Sequence, residues 1–271
     1  MKFKLLVLDL DGTLTNAKKE ITPRNREVLI QAQKEGVRLV LASGRPTDGI
    51  APLANELQLD RFGGYVLAYN GGEIIDWKSR EIIFHKVLPD KVIPYLYTCA
   101  KQNGLAILSY NDGSIITESP EDMYVEKEAF LNKIPIQSTT DFLADIHLPA
   151  PKCLIVGNPA RLIAVESEIS LRLQGQISVY RSEPYFLELV PLGIDKAQSL
   201  AFLLEKLELD REEMIAVGDG FNDLSMIKFA GMGVAMANAQ EPVKQAANYI
   251  TLSNEEDGVA AVVEKFLLAK G

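Results

Sequence analysis

The sequence has few cysteines and histidines, and it has no long apolar run. Cys99, Cys153, His85 and His147 are the four such residues among 271. A disulfide framework needs more cysteines, and a zinc site needs a local cluster of Cys or His, so we expect two buried, reduced thiols and no zinc. No apolar stretch approaches the length of a transmembrane helix, so we expect no membrane-spanning segment.

An excess of basic residues is also missing, since 28 Lys and Arg stand against 37 Asp and Glu, for a formal net charge of −9. Proteins that bind nucleic acids or membrane surfaces use broad basic faces, so we expect neither as a partner. An acidic protein can still hold a locally positive pocket for a small anion. The apolar run that ends at Asp9 is too short for a signal peptide, and we expect a cytoplasmic protein of unknown oligomeric state.

Apolar strands alternate with helices in the first and last thirds of the chain. Continuously apolar segments, typical of buried parallel strands, are predicted at 3–8, 37–41, 65–68, 214–217 and 232–235. Helices are predicted at 23–36, 47–57, 195–207, 223–230, 240–247 and 257–269. This alternation predicts an α/β fold with a doubly wound, Rossmann-like parallel sheet.

The pattern changes in the middle of the chain. A hairpin is predicted at 73–76 and 81–84. Further elements are predicted at 89–103, 105–109, 114–117, 152–157, 159–173, 177–181 and 185–190, whereas 118–150 shows no clear pattern. These strands lack the polar ends of the others. We therefore predict a catalytic core domain at 1–84 and 189–271, interrupted by an inserted α/β cap domain at 85–188 that could act as a lid.

Polar clusters follow four of the predicted core strands. They are Asp9-x-Asp11, Ser43-Gly44-Arg45, Asn70-Gly71-Gly72 and Asp219 to Asp223, and Lys196 opens the helix after the insert. Ligands of an open parallel sheet bind beyond the carboxyl ends of its strands. The fold would therefore bring these clusters to one edge of the sheet.

Carboxylates dominate two of these clusters. Asp9 and Asp11 are two residues apart, so in extended backbone both side chains can face one pocket, roughly 7 Å apart. Asp219 and Asp223 would add two more carboxylates, and four like charges need compensation. A divalent cation is the simplest answer, and ligands that are all oxygen suit Mg²⁺.

The remaining groups suit a phosphoryl group. Ser43 and the Gly44 amide precede a helix, Lys196 supplies a point charge, and Asn222 can donate from its amide. Arg45 is a further candidate phosphate-binding residue, although an arginine here is more often a surface charge. Each motif alone could be a turn or a helix cap, and a hairpin turn is the favoured interpretation of Asn70-Gly71-Gly72. Their conjunction after apolar strands indicates phosphoryl chemistry.

These motifs resemble those of the haloacid dehalogenase-like phosphohydrolases. Asp9-Leu10-Asp11-Gly12-Thr13-Leu14 resembles the first family motif, Ser43 the second, Lys196 the third, and Gly218-Asp219-Gly220-Phe221-Asn222-Asp223 the fourth. Ala42-Ser43-Gly44-Arg45-Pro46 and the form of the fourth motif resemble the Cof-type subfamily, whose large α/β cap lies between the second and third motifs.

The resemblance implies a role for each site residue. Asp9 would be the nucleophile that becomes an aspartyl-phosphate, and Asp11 the general acid and base. Mg²⁺ would be held by the Asp9 side chain, the Asp11 carbonyl and Asp219, with Asp223 in support. The phosphoryl oxygens would be held by Ser43, the Gly44 amide, Lys196 and Asn222.

We therefore expect a Mg²⁺-dependent phosphatase whose partner is a small phosphorylated metabolite, with sugar phosphates as the expected class. A phosphotransferase or phosphomutase would use the same phosphoenzyme. A non-catalytic phosphometabolite sensor would be expected to lack Asp9 or Asp11. A dinucleotide-binding protein is disfavoured because Gly231-x-Gly233 lacks the third glycine of that fingerprint. Substrate specificity should depend on the cap, with candidate contacts at 110–125 and at Tyr180 to Tyr185.

Overall fold

The structure is a computed structural model, and it describes residues 2–268. Residues 1 and 269–271, which include the ends of the predicted core segments and the last residue of the helix predicted at 257–269, lie outside the described residues.

The described chain divides into two compact units. The core unit takes the chain up to Arg45, Ile50–Phe84 and the chain from Asp195 onward, and the inserted unit takes Pro46–Gly49 and His85–Ile194.

Both units alternate strands and helices. The strands are β1 (Leu5–Leu8), β2 (Arg38–Ala42), β3 (Tyr65–Ala68), β4 (Glu73–Asp76), β5 (Ile82–His85), β6 (Ala106–Asn111), β7 (Ser114–Thr117), β8 (Ile136–Ser138), β9 (Cys153–Val156), β10 (Ile177–Glu183), β11 (Phe186–Pro191), β12 (Met214–Gly218), β13 (Met232–Ala235) and β14 (Tyr249–Ile250). The α-helices are α1 (Pro23–Lys34), α2 (Thr47–Glu56), α3 (Leu59–Phe62), α4 (Ile93–Gln102), α5 (Met123–Asn132), α6 (Phe142–Asp145), α7 (Pro159–Arg172), α8 (Lys196–Leu207), α9 (Leu224–Phe229), α10 (Glu241–Ala246) and α11 (Gly258–Phe266).

The core unit contains an eight-stranded sheet in the order β14-β13-β12-β1-β2-β3-β4-β5. The six strands from β14 to β3 are parallel, which confirms the predicted parallel sheet. β1 lies between β12 and β2, and all four of its residues are fully buried, as expected for an apolar strand covered on both faces. The chain leaves β1 for β2 on one side and reaches β12 on the other, so the strand order reverses beside β1. This is where an open α/β sheet binds its ligands.

Local sequence sets the boundaries of several core elements. The Thr22 hydroxyl accepts a hydrogen bond from the Asn25 amide, Pro23 occupies the first turn, and Gly36 follows the helix with φ +93°. A hydroxyl cap, a first-turn proline and a closing glycine are typical start and end signals of a helix, and they agree with the helix predicted at 23–36. β4 pairs antiparallel with β3, which confirms the hairpin turn predicted at Asn70-Gly71-Gly72.

The inserted unit contains a second sheet of six strands in the order β10-β11-β9-β6-β7-β8. The pairs from β10 to β7 are antiparallel, and β7 and β8 are parallel. Apolar side chains of α4, α6 and α7 pack on one face of this sheet, and Cys99 and Cys153 lie in that core as buried, free thiols. The structure thus places α5, β8 and α6 in the stretch 118–150, where no clear pattern was visible.

No helix among residues 2–268 has the length and apolar character needed to cross a membrane.

Candidate active site at the carboxyl end of the core sheet

Lys196 links three segments that are distant in sequence. Its ammonium donates hydrogen bonds to Oδ1 of Asp9 at 2.6 Å, to Oδ1 of Asp223 at 2.6 Å and to the carbonyl of Ala42 at 2.9 Å. These three partners match the three N–H donors of a lysine. The side chain is fully buried, and its residue is the first of α8, where Asp195 caps the helix through the Gln198 amide. The structure therefore joins the ends of β1, β2 and β12 through one cation.

Asp223 shapes the loop after β12. Its Oδ2 accepts hydrogen bonds from the backbone amides of Asp219 and Gly220, both at 2.9 Å, while its Oδ1 accepts from Lys196. The carboxylate is fully buried. Asp223 therefore holds the loop that presents Asp219, in addition to lying near a possible metal position.

Three carboxylates converge beside β1. Asp9, Asp219 and Asp223 each offer an oxygen that lies within 4.8 Å of the other two. Thr13 donates a hydrogen bond to Oδ1 of Asp219 at 2.7 Å, which fixes this side chain. Oxygen donors at this spacing fit a hard divalent cation such as Mg²⁺. The structure thus brings together the three side chains predicted to hold or support the ion, whereas Asp11 was predicted to contribute its carbonyl.

This cluster holds three carboxylates and one ammonium, and the imbalance shifts the pKa values of its members. Burial raises the pKa of Asp9 well above its ordinary value, the charges of Asp223 and Asp219 raise it further, and Lys196 opposes them only in part. Burial also raises the pKa of Asp219 to about 6, against an ordinary value of 3.8. The pKa of Lys196 is raised because its two carboxylate partners outweigh the effect of burial. Three carboxylates around one ammonium favour an additional cation.

Asp11 has different partners from Asp9. Arg45 donates from Nε to Oδ2 of Asp11 at 2.8 Å and from Nη2 to Oδ1 at 2.6 Å, and the Lys19 ammonium lies 2.7 Å from Oδ1. Partial burial would raise the pKa of Asp11, but hydrogen bonds and charges from Arg45 and Lys19 lower it overall. The Asp11 carboxylate is not among the three that converge on the possible metal position.

Arg45 and Lys19 were not expected in these positions. Arg45 was predicted as a phosphate-binding residue or a surface charge, whereas its side chain is buried and its guanidinium binds Asp11. No contact between Lys19 and Asp11 was predicted, because no local sequence feature distinguishes Lys19 from its exposed neighbour Lys18. The backbone of Lys19 is left-handed, with φ +61°, a feature that is visible only in the structure.

The predicted phosphoryl-binding residues lie in loops that contact each other. Ser43 is buried directly after β2, and its hydroxyl accepts a hydrogen bond from the Arg45 amide at 3.2 Å. The amide of Asn222 donates to Oδ1 of Asn70 at 3.2 Å, and a Cβ atom at Gly44 would lie 3.0 Å from Nδ2 of Asn70. Asn70 therefore forms the predicted turn and also contacts Asn222, one of the residues predicted to bind the phosphoryl group.

Comparisons with known proteins agree with this geometry. The sequence model of the haloacid dehalogenase-like hydrolase family matches residues 6–263. The chain is similar to the crystal structure of a haloacid dehalogenase-like hydrolase from Bacteroides thetaiotaomicron, with a TM-score of 0.96, 66% identity, and coverage of 97% of this chain and 99% of that one.

Two curated phosphatases are also similar over nearly their whole lengths. The 5-amino-6-(5-phospho-D-ribitylamino)uracil phosphatase YcsE of Bacillus subtilis is 32% identical over 266 residues, which are 98% of this chain and 96% of that protein. The pyridoxal phosphate phosphatase YbhA of Escherichia coli is 26% identical over 290 residues, covering 99% of this chain and 100% of that protein.

Proposed function

This chain belongs to the haloacid dehalogenase-like hydrolases and is a phosphatase of that family, and we propose that it hydrolyses phosphate monoesters of small metabolites, with sugar phosphates as its substrate class and Mg²⁺ as its cofactor. One observation carries the proposal. The buried ammonium of Lys196 lies between Asp9 and Asp223, with Asp219 beside them, at the carboxyl end of the core sheet. Such a site can hold a phosphoryl group and the charge that develops as it is transferred.

We assign the covalent step to Asp9 and the proton transfers to Asp11. A carboxylate oxygen of Asp9 attacks phosphorus, and the bond from phosphorus to the ester oxygen breaks as Asp11 gives that oxygen its proton. Water then attacks phosphorus, Asp11 takes a proton from this water, and the bond between phosphorus and the Asp9 oxygen breaks. The products are the alcohol and inorganic phosphate.

The remaining residues hold the reacting group. We assign the phosphoryl oxygens to the Ser43 hydroxyl, the Gly44 amide, Lys196 and Asn222. Mg²⁺, held by the Asp9 and Asp219 side chains and the Asp11 carbonyl with Asp223 in support, would withdraw negative charge from the phosphoryl oxygens.

Two lines of support favour a small substrate. Two similar proteins are named for the dephosphorylation of small compounds, one of which carries a phosphoribityl group. The inserted unit has its own apolar core, and its segments, Pro46–Gly49 and His85–Ile194, lie between Ser43 and Lys196 in the sequence. We propose that this unit, predicted from the sequence as a cap at 85–188, selects the substrate.

The test is phosphate release from a panel of sugar phosphates, nucleotides and other small phosphate esters, with Mg²⁺ and with EDTA. Wild type is compared with Asp9→Asn, which nearly keeps the shape of the side chain but removes the nucleophilic charge. Asp60→Asn is the matched control, because Asp60 is exposed on α3 in the same unit.

We expect wild type and Asp60→Asn to release phosphate only with Mg²⁺, and Asp9→Asn to be inactive. An Asp9→Asn variant as active as wild type would exclude the aspartyl-phosphate mechanism. If wild type exchanges isotope between two sugar phosphates without releasing phosphate, the enzyme is a phosphotransferase or phosphomutase instead.

A further inference from the structure

Two cations from separate segments meet on the carboxylate of Asp11. Arg45 donates a hydrogen bond from Nε to Oδ2 at 2.8 Å and another from Nη2 to Oδ1 at 2.6 Å. The Lys19 ammonium donates a third to Oδ1 at 2.7 Å. Arg45 lies 34 residues after Asp11, and Lys19 lies 8 residues after it. Both contacts lie within the core unit. We call these two side chains the Asp11 clamp.

The backbone fixes both members of the Asp11 clamp. Arg45 is buried behind the end of β2, where its amide donates to the Ser43 hydroxyl and its carbonyl accepts from the Tyr69 amide at 3.1 Å. The amide of Lys19 donates to the Asn16 carbonyl at 2.9 Å in a turn where Lys19 has φ +61°. A planar guanidinium that binds two oxygens of one carboxylate fixes the orientation of that carboxylate.

We propose that Arg45 and Lys19 are positioning residues for the acid–base step, which orient Asp11 toward the ester oxygen of the leaving group, rather than ligands of the transferring phosphoryl group. This inference rests on the proposed function, because it assumes that Asp11 is the general acid. It replaces the sequence-based prediction that Arg45 binds phosphate.

The contacts also indicate which oxygen of Asp11 transfers the proton. Oδ1 accepts from both cations, which accounts for its two lone pairs, whereas Oδ2 accepts from Nε of Arg45. We therefore assign the proton transfer to Oδ2, which has one partner instead of two. As Oδ2 gives a proton to the ester oxygen, the bond from phosphorus to that oxygen breaks, the alcohol leaves and Asp11 is left as a carboxylate.

The leaving group distinguishes the two roles of Arg45. An alkyl phosphate expels a basic alkoxide and needs a proton, whereas p-nitrophenyl phosphate expels a stable phenolate and hardly needs one. A residue that binds the phosphoryl group acts equally on both substrates, because the group is the same. A residue that orients the acid acts mainly on the alkyl phosphate.

The experiment measures kcat/KM for glucose 6-phosphate or another active alkyl phosphate and for p-nitrophenyl phosphate. This ratio reports only the steps up to release of the leaving group, and so it isolates the first half-reaction. The variants are Arg45→Lys, which keeps the charge but not the two-point grip, and Lys19→Met. Lys18→Met is the matched control, because Lys18 is an exposed lysine on the same turn. Asp11→Asn is the reference for loss of the acid.

We expect Arg45→Lys and Lys19→Met to lower kcat/KM for the alkyl phosphate by about 10- to 100-fold, part of the 10²- to 10⁴-fold that general acid catalysis contributes, and for p-nitrophenyl phosphate by less than about threefold. Lys19→Arg should recover most of the loss, and Lys18→Met should match wild type. Equal losses on both substrates would overturn the proposal in favour of phosphoryl binding, and the absence of loss on either would overturn it too.

The reference variants separate this inference from the proposed function. If Asp11→Asn loses activity mainly on the alkyl phosphate but the Asp11 clamp variants do not, only the inference fails. If Asp11→Asn lacks this dependence on the leaving group, Asp11 is not the acid and both fail. If Asp9→Asn is as active as wild type, the phosphoenzyme mechanism itself is wrong.

Discussion

The ammonium of Lys196 lies 2.6 Å from Oδ1 of Asp223, and both side chains are fully buried. Removing one partner of a buried ion pair leaves the other charge without compensation, which costs about 3–5 kcal/mol. Lys196→Met would leave both Asp9 and Asp223 in this state.

We therefore expect Lys196→Met to lower the free energy of unfolding by about 3–5 kcal/mol and to abolish phosphate release. Urea unfolding followed by circular dichroism measures the first effect. Lys206→Met is the control, since Lys206 is exposed in the same helix and should unfold like wild type. A Lys196→Met variant as stable as its control would contradict a structural role for this pair.

Asp219 should make the stability of the metal-free protein depend on pH. Burial raises its pKa to about 6 in the folded state, against an ordinary value of 3.8. An acid whose pKa is raised by folding stabilises the protein while it is protonated. Its contribution is therefore complete below about pH 4 and is lost as pH rises through about 6.

We expect the difference in free energy of unfolding between wild type and Asp219→Asn to change in this window, with wild type losing stability relative to the variant as pH rises. Urea unfolding in EDTA at several pH values tests this. Saturating Mg²⁺ should remove the loss in wild type, because we propose that the ion binds the ionised carboxylate. Parallel stability curves for the two proteins would show that Asp219 has an ordinary pKa.

Gly12 should control the position of Asp219. Its φ is +90°, and a Cβ atom there would lie 2.4 Å from Oδ2 of Asp219. Gly36 is a matched control, because its φ is +93° and a Cβ atom there would meet nothing within 4 Å. Both alanine variants incur the conformational cost of a left-handed residue, about 1–2 kcal/mol, but only Gly12→Ala displaces the carboxylate.

We expect Gly12→Ala to weaken Mg²⁺ binding by about tenfold or more, equivalent to about 1.4 kcal/mol, and Gly36→Ala to bind Mg²⁺ like wild type. Isothermal titration calorimetry gives both affinities. The same Mg²⁺ affinity for the two variants would mean that Asp219 does not hold the ion.

A second buried ion pair lies in the inserted unit. Nζ of Lys152 lies 3.0 Å from Oε2 of Glu188, and Ser182 donates to Oε1 of Glu188 at 2.9 Å. We expect Lys152→Met to lower the free energy of unfolding by about 3–5 kcal/mol, and the double variant Lys152→Met/Glu188→Leu to recover most of that loss, because an apolar pair needs no charge compensation.

Lys101 provides the comparison in the same unit. It pairs with Glu118 at 2.9 Å, but 47% of its side chain is exposed. Lys101→Met should cost less than about 1 kcal/mol. Chemical unfolding of wild type, Lys152→Met, Lys152→Met/Glu188→Leu and Lys101→Met measures these differences. Equal losses of unfolding free energy in Lys152→Met and Lys101→Met would show that burial does not strengthen the Lys152–Glu188 ion pair.

Much of the core could be predicted because its signals are local. β1 and β12 are continuous apolar runs, and parallel pairing brings the carboxyl ends of such strands to one edge. The sequence therefore predicted that Asp9, Asp219, Asp223 and Lys196 would meet. The caps of α1 and the turn at Asn70 were also predictable, because a hydroxyl, a proline or a glycine acts on its own neighbours.

The secondary structure of the stretch 118–150 could not be predicted, because in α5 some apolar residues are exposed and some polar residues are buried. In α5, Met123 and Phe130 are exposed, whereas Glu128 and Asn132 are buried. Glu128 accepts hydrogen bonds from the Tyr110 hydroxyl at 2.6 Å and from the Asn132 amide at 2.8 Å. A buried polar face whose hydrogen bonds are made to Tyr110 and within the helix gives no apolar periodicity, so the sequence shows no helix signal here.

The partners of Asp11 show most clearly which contacts could not be predicted from the sequence. The sequence by itself determined that carboxylates, a lysine and a hydroxyl would share one edge of the core sheet, because apolar strands that alternate with helices pair in parallel and bring their carboxyl ends to one edge. Only the tertiary structure decided that Arg45 turns to Asp11, and that Lys19 rather than its neighbour Lys18 does so too. The path of the folded backbone decides which cation reaches the Asp11 carboxylate, and the residue types alone do not indicate that path.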